Sequence, residues 1–179
     1  MPVFKAYSNN VEVNGETVLS IVAGMGFMKS VALKILADAG IPNIEQGKWY
    51  KQQDWLNAFK SVSEKVGKKT LKKIGKSIPE NAKFPNQIQD IHSALAAIDV
   101  AYKMNHRNGE IGFYKYSKIS ENEAEIHCKN PYPSEFDEGI IEAIATKFST
   151  AGQNPYVVLA TNKETRRNGA ESCTFIVKW

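Results

Sequence analysis

The sequence lacks the features that mark several large classes of protein. Its 179 residues include two cysteines, too few for the disulfide framework of a small secreted domain. No apolar run reaches the roughly 18 residues that a membrane-spanning helix needs, and no basic-then-apolar leader with a cleavage site opens the chain. Glycine (12) and proline (7) are too few for a collagen-like or low-complexity chain. These absences predict one cytoplasmic domain spanning residues 1–179, with no membrane partner.

The motifs of the common enzyme classes are absent as well. Gly75, Lys76 and Ser77 end like a phosphate-binding loop, but the preceding glycine, Gly67, stands at the wrong spacing. There is no Gly-x-Ser-x-Gly nucleophile elbow, no His-Glu-x-x-His zinc helix and no Cys-x-x-Cys pair. The sequence therefore favours a non-catalytic binding protein over an enzyme.

The net charge is small, +4 from 23 basic and 19 acidic residues, but the lysines are unevenly placed. They cluster from Lys60 to Lys76, where Glu64 is the only acidic residue. A solvated helix face is the favoured interpretation, and a surface that binds an acidic partner or phosphate is the alternative. The segment contains no aromatic side chain on which a base could stack, so a nucleic-acid partner is not expected.

Hydrophobic periodicity predicts helices in the first part of the chain. One begins near Glu16, is interrupted at Gly24 and Gly26, and ends at Gly40. A second begins with Asp54 at or near its N-cap and continues, past a break at Gly67, to Pro79. A third, the strongest pattern, covers residues 86–103.

The remainder reads as strand, strand, helix, strand, strand. Strands are predicted over residues 111–116, 124–128, 156–160 and 172–179. A helix follows the prolines at 131 and 133, with Ser134 as its N-cap and Asp137 completing a capping box. The predicted fold is α+β: a helical half over about residues 1–104 packs on a mainly antiparallel sheet of four to five strands.

Aromatic side chains gather around the junction of these two layers in greater number than a core of this size needs. Rings with a hydroxyl or indole N–H suit a pocket for a small hydrophobic or aromatic ligand. The alternative is that they only fill the core. The predicted wall consists of Trp49, Tyr50, Trp55, Tyr102, Phe113 and Tyr116, with His106 or Arg167 as the polar anchor.

Histidine and cysteine offer few metal ligands. His92 is expected at the edge of the core and His127 on the solvent side of its strand, while His106 follows the third predicted helix, where it could ligate haem or a metal. Cys128 and Cys173 fall on apolar strand faces, as buried hydrophobes or, less favoured, as metal ligands.

Residues 85–179 resemble the 4-vinyl reductase domain. The resemblance rests on a strand pair ending at a cysteine, a Pro-rich loop, an acidic helix start with Gly139-Ile140, and a closing motif of Gly169, Cys173 and Phe175. It implies a sensor or carrier domain that binds a small molecule between helices and sheet. Family members often carry further cysteines, suggested to bind metal, at places held here by Ser134 and by Arg166 or Arg167.

The helical first half is similar in layout to haem-nitric-oxide-binding domains. That similarity implies an alternative function, a haem-based gas sensor with His106 or His92 as axial ligand. The Tyr-x-Ser-x-Arg pattern of those domains is not supplied by residues 116–120. A third hypothesis is an interaction module acting through the lysine cluster, and any sensor role is expected to need a homodimer or a separate signalling partner.

Overall fold

The computed structural model describes residues 3–179, which form a helical layer, a small three-stranded sheet and a four-stranded sheet. The helices are α1 (Gly15–Met25), α2 (Lys29–Asp38), α3 (Gln52–Lys65), α4 (Lys68–Asn81), α5 (Ile91–Ala96), α6 (Ile98–Met104) and α7 (Ser134–Lys147). The strands are β1 (Glu12–Asn14), β2 (Trp49–Lys51), β3 (His106–Arg107), β4 (Phe113–Ser120), β5 (Glu123–Lys129), β6 (Tyr156–Leu159) and β7 (Cys173–Lys178). The predicted α+β class is confirmed.

The predicted break between the first two helices is confirmed at Gly26. Its φ of 53° is a left-handed value that glycine adopts at little cost, and a short 3₁₀ turn leads from there into α2. Residues Gly15–Asp38 are together long and apolar enough to cross a membrane, although α1 buries one face that includes Val18 and Ile21. A core helix of a soluble protein passes the same test, so this feature alone places nothing in a membrane.

The second predicted helix is in fact two. It begins at Gln52, directly after β2, with Lys51 at the N-cap, so Asp54 lies near the N-cap, in the first turn, rather than at it. Gly67, with φ 110°, separates α3 from α4 as predicted. Pro79 does not end α4 but lies inside its last turn, where it removes one backbone N–H donor, and the helix ends two residues later at Asn81.

The third predicted helix, over residues 86–103, is wrong in extent. The Asp90 side chain accepts a hydrogen bond from the Ser93 backbone N–H, and the Ser93 hydroxyl oxygen accepts one from the Asp90 backbone N–H; this capping box starts α5 at Ile91. Ala97 then separates α5 from α6. The apolar period continues across both helices because both face the same core.

The four-stranded sheet is antiparallel throughout, in the order β4-β5-β7-β6, and α7 covers one face. Ala124 and Ile126 of β5 and Phe175 and Val177 of β7 lie fully buried on that face. The second sheet, in the order β2-β1-β3, was not predicted. Its strands have two or three residues each and pair over long sequence separations. Such short strands have no periodic pattern from which they could be predicted.

Helix α4 packs between α1 and α7. A Cβ added to Gly139 of α7 would lie 2.2 Å from the backbone oxygen of Lys72, so only glycine allows the two helices to approach this closely. Lys72 and Lys76 form ion pairs with Glu138 and Glu142 of α7. Part of the lysine cluster therefore joins two helices.

Candidate functional site

A small apolar cavity lies between the helical layer and the four-stranded sheet. Its volume is about 40 Å³. A buried water occupies roughly 10–15 Å³ of such space, so the cavity has room for about three waters or a ligand of comparable size. The lining residues are Thr17, Trp55, Ile78, Ala82, Phe84, Ile98, Ala101, Tyr102, Asn105, His106, Tyr114, Tyr132, Phe136, Ile140 and Ile144.

The cavity wall contains one histidine, His106. It lies in β3 directly after α6, and its Nδ1 is 2.8 Å from the backbone oxygen of Tyr102. Because a carbonyl can only accept, Nδ1 carries the proton and donates, which leaves Nε2 as an acceptor. Burial lowers the pKa of His106 to about 4, so the ring is neutral at pH 7.

Tyr132 completes a hydrogen-bonded chain at the cavity. Its hydroxyl lies 2.6 Å from Nε2 of His106 and donates to it, while the side-chain amide of Gln52 donates to the same hydroxyl at 2.8 Å. Tyr132 and Gln52 are both almost wholly buried, and burial raises the pKa of the phenol well above its ordinary value. The chain Gln52–Tyr132–His106–Tyr102 is therefore uncharged at neutral pH.

Rings pack edge to face around this chain. The ring of Trp55 lies 5.2 Å from that of Tyr132 and 4.8 Å from that of Phe59, and Phe136 closes the group on the α7 side. Edge-to-face contacts of this kind stabilise a fixed arrangement beyond simple burial. The rings therefore fill most of the junction and leave the 40 Å³ cavity beside them.

A buried ion pair lies behind the cavity wall. Arg166 and Asp137 have almost no exposed side-chain surface and contact each other directly. Asp137 also accepts from the Tyr114 hydroxyl at 2.6 Å, and Arg166 donates to the Asn130 side chain at 2.7 Å. The predicted capping role of Asp137 is wrong: its carboxylate faces the interior because the guanidinium is there to neutralise it.

The predicted N-cap of α7 is also wrong. Pro133 occupies that position, and Ser134 is the first residue of the helix, with its hydroxyl 2.8 Å from Sγ of Cys173. Thr165 lies 3.6 Å from the same sulfur, and Arg166 donates to it from its backbone N–H at 3.3 Å and from Nε at 3.5 Å. Burial raises the pKa of Cys173, but the Arg166 charge and the hydrogen bonds from Ser134 and Arg166 outweigh it and leave the pKa below its ordinary value.

Cys128 and Cys173 face each other directly across β5 and β7, and both are free and buried. Burial raises the pKa of the Cys128 thiol well above its usual range. Within residues 3–179, no group of three or more His, Cys, Asp or Glu side chains is arranged to hold a metal ion. Cys128 packs as an apolar side chain in the core, whereas the Cys173 sulfur contacts the Ser134 hydroxyl and Arg166.

Of the eight predicted site residues, the structure brings three to the cavity: Trp55, Tyr102 and His106. Trp49 lies in β2 with the Arg107 guanidinium over its ring, and the Tyr50 hydroxyl bonds the backbone of Asn43 and Glu45. Both belong to the small sheet, away from the cavity. Their positions could not be predicted because that sheet was not.

The other three predicted residues also lie elsewhere. Phe113 is on the outer face of β4 beside His127, since strand alternation turns Tyr114 inward instead. Tyr116 is on the inner face but bonds His92, whose other ring nitrogen contacts the backbone oxygen of Glu121. Arg167 is half-exposed and pairs with Glu135 and Glu138.

Sequence reasoning missed Thr17, Tyr114, Tyr132 and Phe136 as parts of the cavity wall. A signal for Tyr132 was present. Residues 132–136 match the first two positions of the Tyr-x-Ser-x-Arg pattern through Tyr132 and Ser134, and carry Phe136 in the third. The partial match therefore lies after β5, at Tyr132, and not in β4 at Tyr116.

Solved structures of haem-nitric-oxide-binding (H-NOX) domains share the fold. An H-NOX protein from S. oneidensis in the Fe(II)NO state is 13% identical, with TM-score 0.67, over 91% of this chain and 97% of that one. The unliganded Fe(II) H-NOX protein from K. algicida is 14% identical, with TM-score 0.63, over 92% and 95%. An oxygen-binding H-NOX domain related to soluble guanylate cyclases is 16% identical, with TM-score 0.63, over 92% and 94%.

No protein-family model and no curated protein matches the chain. At 13–16% identity the structural likeness establishes the fold: the chain has the architecture of H-NOX domains over nearly its whole length. The expected similarity to haem-nitric-oxide-binding domains is thus confirmed for the fold and extends beyond the helical half. The 4-vinyl reductase class is not supported by these structures and stays a prediction.

The cavity as folded does not fit haem. Its 40 Å³ is far too small for a porphyrin macrocycle, and the Tyr132 hydroxyl lies where an iron would have to approach Nε2 of His106. No lysine or arginine is among its lining residues to neutralise the carboxylates of haem, and Phe136 stands at the arginine position of the Tyr-x-Ser-x-Arg pattern.

Proposed function

We propose that this chain is a sensor or carrier domain that binds a small molecule in the cavity beside His106 and does not transform it. The observation that carries the proposal is an apolar cavity at the junction of helices and sheet, with a hydrogen-bonding His106–Tyr132 pair in its wall. Apolar walls with a few placed polar groups are the usual composition of small-molecule sites.

A binding role agrees with the chemistry of the wall. His106 is neutral and has both ring nitrogens engaged, so it is not poised to abstract a proton. No carboxylate or cysteine lines the cavity among the described residues, so an activated nucleophile is missing there as well. We further propose the 4-vinyl-reductase-like class, a cytoplasmic location, and signal output through a homodimer or a separate partner.

A cavity-filling substitution tests the proposal. Ala101 lines the cavity, and the larger side chain in A101L should occupy it and weaken xenon binding at least about tenfold, a difference of about 1.4 kcal/mol. Xenon is the probe because it enters apolar cavities without needing a specific partner. Its binding is measured by the ¹²⁹Xe chemical shift during a pressure titration of the full chain.

The matched control is A143L, on the half-exposed side of α7 and outside the cavity, which should bind xenon like the original chain. Circular dichroism shows whether each variant is folded. If A101L does not fold, A82L serves in its place, because Ala82 lines the cavity from a partly exposed position. Equal xenon binding by the original chain and a folded cavity-filling variant would show that the cavity is not the site.

Haem binding for gas sensing is the second candidate. It is favoured by His106, whose Nδ1–H is anchored on a carbonyl while Nε2 faces the ring cluster, as in metal-binding histidines. This candidate requires a conformation in which Tyr132 has left Nε2. Reconstitution with haem tests it: a Soret band that is lost in H106F supports it, and its absence in the original chain removes it.

A further inference from the structure

Two polar groups in the cavity wall have no hydrogen-bond partner within the described chain. They are the indole N–H of Trp55 and the hydroxyl of Thr17. Both residues line the cavity, and Trp55 is fully buried while Thr17 is 4% exposed. The great majority of buried polar groups are hydrogen-bonded, and an unpaired one carries the full cost of its desolvation.

The neighbours of these two groups explain why nothing in the wall can satisfy them. Trp55 is surrounded by the rings of Phe59, Tyr132 and Phe136. The polar atoms that do lie in the wall are committed: the Tyr132 hydroxyl to His106 and Gln52, and the Tyr102 hydroxyl to the backbone of Ile111 at 2.5 Å. The other unpaired buried oxygens, on Glu16, Ser20 and Gln52, belong to residues that do not line the cavity, so the contents of the cavity are the remaining source of a partner for the indole N–H.

The charge state of the wall restricts that partner further. His106 is neutral, and the lining residues include neither a carboxylate nor a basic side chain that is charged at pH 7. An ionised ligand would lie unpaired in apolar surroundings, which proteins avoid. The indole N–H can only donate, so the ligand must accept.

From these contacts we propose, building on the proposed function, that the cavity binds a small uncharged molecule with an apolar body and one hydrogen-bond acceptor. Trp55 Nε1–H donates to that acceptor, and the Thr17 hydroxyl supplies a second contact. The volume, about that of three waters, limits the ligand to a few heavy atoms. A small ketone, nitrile or sulfoxide meets these conditions, whereas a carboxylic acid or an amine does not.

Acetone and isobutene provide a matched pair of probes, because they share a heavy-atom skeleton and differ in an oxygen acceptor against a CH₂ group. Each is titrated into the ¹⁵N-labelled full chain while the three tryptophan indole N–H signals are followed. Acetone should bind about tenfold more tightly than isobutene and move the Trp55 signal saturably. Trp49 and Trp179, outside the cavity, should not respond.

Three variants establish which group donates. W55F keeps an aromatic ring but removes the N–H, so the preference for acetone should fall to less than about threefold, and W49F should retain it. T17V is nearly isosteric and tests the second contact even if W55F fails to fold. Its preference should be smaller than that of the original chain.

The possible results separate this inference from the proposed function. If xenon and isobutene bind but acetone is no tighter, or if its binding leaves the Trp55 signal unmoved, the acceptor inference is wrong and the cavity remains a binding site. A preference that survives both W55F and T17V also overturns the inference. If no probe enters and the indole N–H contacts water alone, both proposals fail.

Discussion

Single residues decide the chemistry of the cavity, and His106 decides most of it. Its pKa is lowered by burial from 6.5 to about 4, because no carboxylate compensates a charge on the buried imidazole. The neutral ring then accepts from Tyr132 and donates to the Tyr102 backbone. Because the buried imidazole has no counter-charge, it stays neutral, with its single proton on Nδ1 and the acceptor nitrogen Nε2 in the cavity wall.

This lowered pKa predicts how stability depends on pH. The unfolded chain binds a proton at His106 below about 6.5 and the folded chain only below about 4, so the stabilising contribution is complete above pH 6.5 and is lost as the pH falls toward 4. The loss should approach about 3 kcal/mol over that window. Urea unfolding at intervals between pH 7.5 and pH 4 measures it.

H106Q should flatten that pH dependence, since glutamine does not titrate. The matched control is H127Q on the outer sheet face, where the pKa is also lowered but the side chain is half-buried, and most of the slope should remain. An H106Q variant with the full slope would mean that His106 is not the buried base described here.

At the scale of elements, the Arg166–Asp137 pair connects α7 to the turn before β7. Asp137 lies in the first half of α7, Arg166 in the 3₁₀ turn at Arg166–Asn168, and Asn130 at the end of β5 bonds both. Tyr114 of β4 adds its hydroxyl from the cavity side. Four segments, α7, the 3₁₀ turn, the end of β5 and β4, therefore meet at one buried charge pair.

Neutralising one partner should be costly. D137N leaves the Arg166 guanidinium buried without its counter-charge, and the free energy of unfolding should fall by roughly 3–5 kcal/mol in chemical denaturation. The control D38N removes a carboxylate from an exposed pair with Lys34 and should cost less than about 1 kcal/mol.

A double variant tests the same ion pair if D137N alone fails to fold. D137N combined with R166M removes both charges, so it should be more stable than D137N alone, because no uncompensated ion remains. If the double variant is less stable than D137N, the two residues stabilise the fold mainly through contacts other than the attraction between their charges.

The whole molecule has one continuous hydrophobic core. The core runs from Val13 in β1 and Ile21 in α1 through Trp55 and Phe136 to Phe175 and Val177 in the four-stranded sheet. The cavity lies within it, at the junction of the two layers. A ligand there contacts both layers, which is the position from which binding can change their relative packing.

A shared core predicts cooperative unfolding of residues 1–179 as one domain. Far-UV circular dichroism and tryptophan fluorescence should give coincident thermal transitions, because Trp55 lies at the junction rather than in one layer. Two separate transitions would show that the helical half and the sheet half are independent units. Trp49 and Trp179 are replaced by Phe so that the fluorescence reports Trp55 alone.

Local pattern determined the elements that depend on neighbours in sequence. The helix break at Gly26, the separation of α3 from α4 at Gly67, the β4–β5 hairpin and the α+β class all follow from periodicity and turn residues. The same periodicity predicts that the side chains of Trp55 and Tyr102 face the interior. The absence of the familiar enzyme motifs can likewise be read from the amino-acid sequence alone.

Only tertiary structure decided which of these residues meet. Tyr132 reaches His106 across 26 residues and Gln52 across 80, and Arg166 neutralises Asp137 across 29. Trp49 and Tyr50 lie outside the cavity because β2 pairs with β1. The two strands are too short to produce a periodic pattern in the sequence. Long-range pairing and the burial of polar groups depend on how layers stack in space, and no local period encodes that.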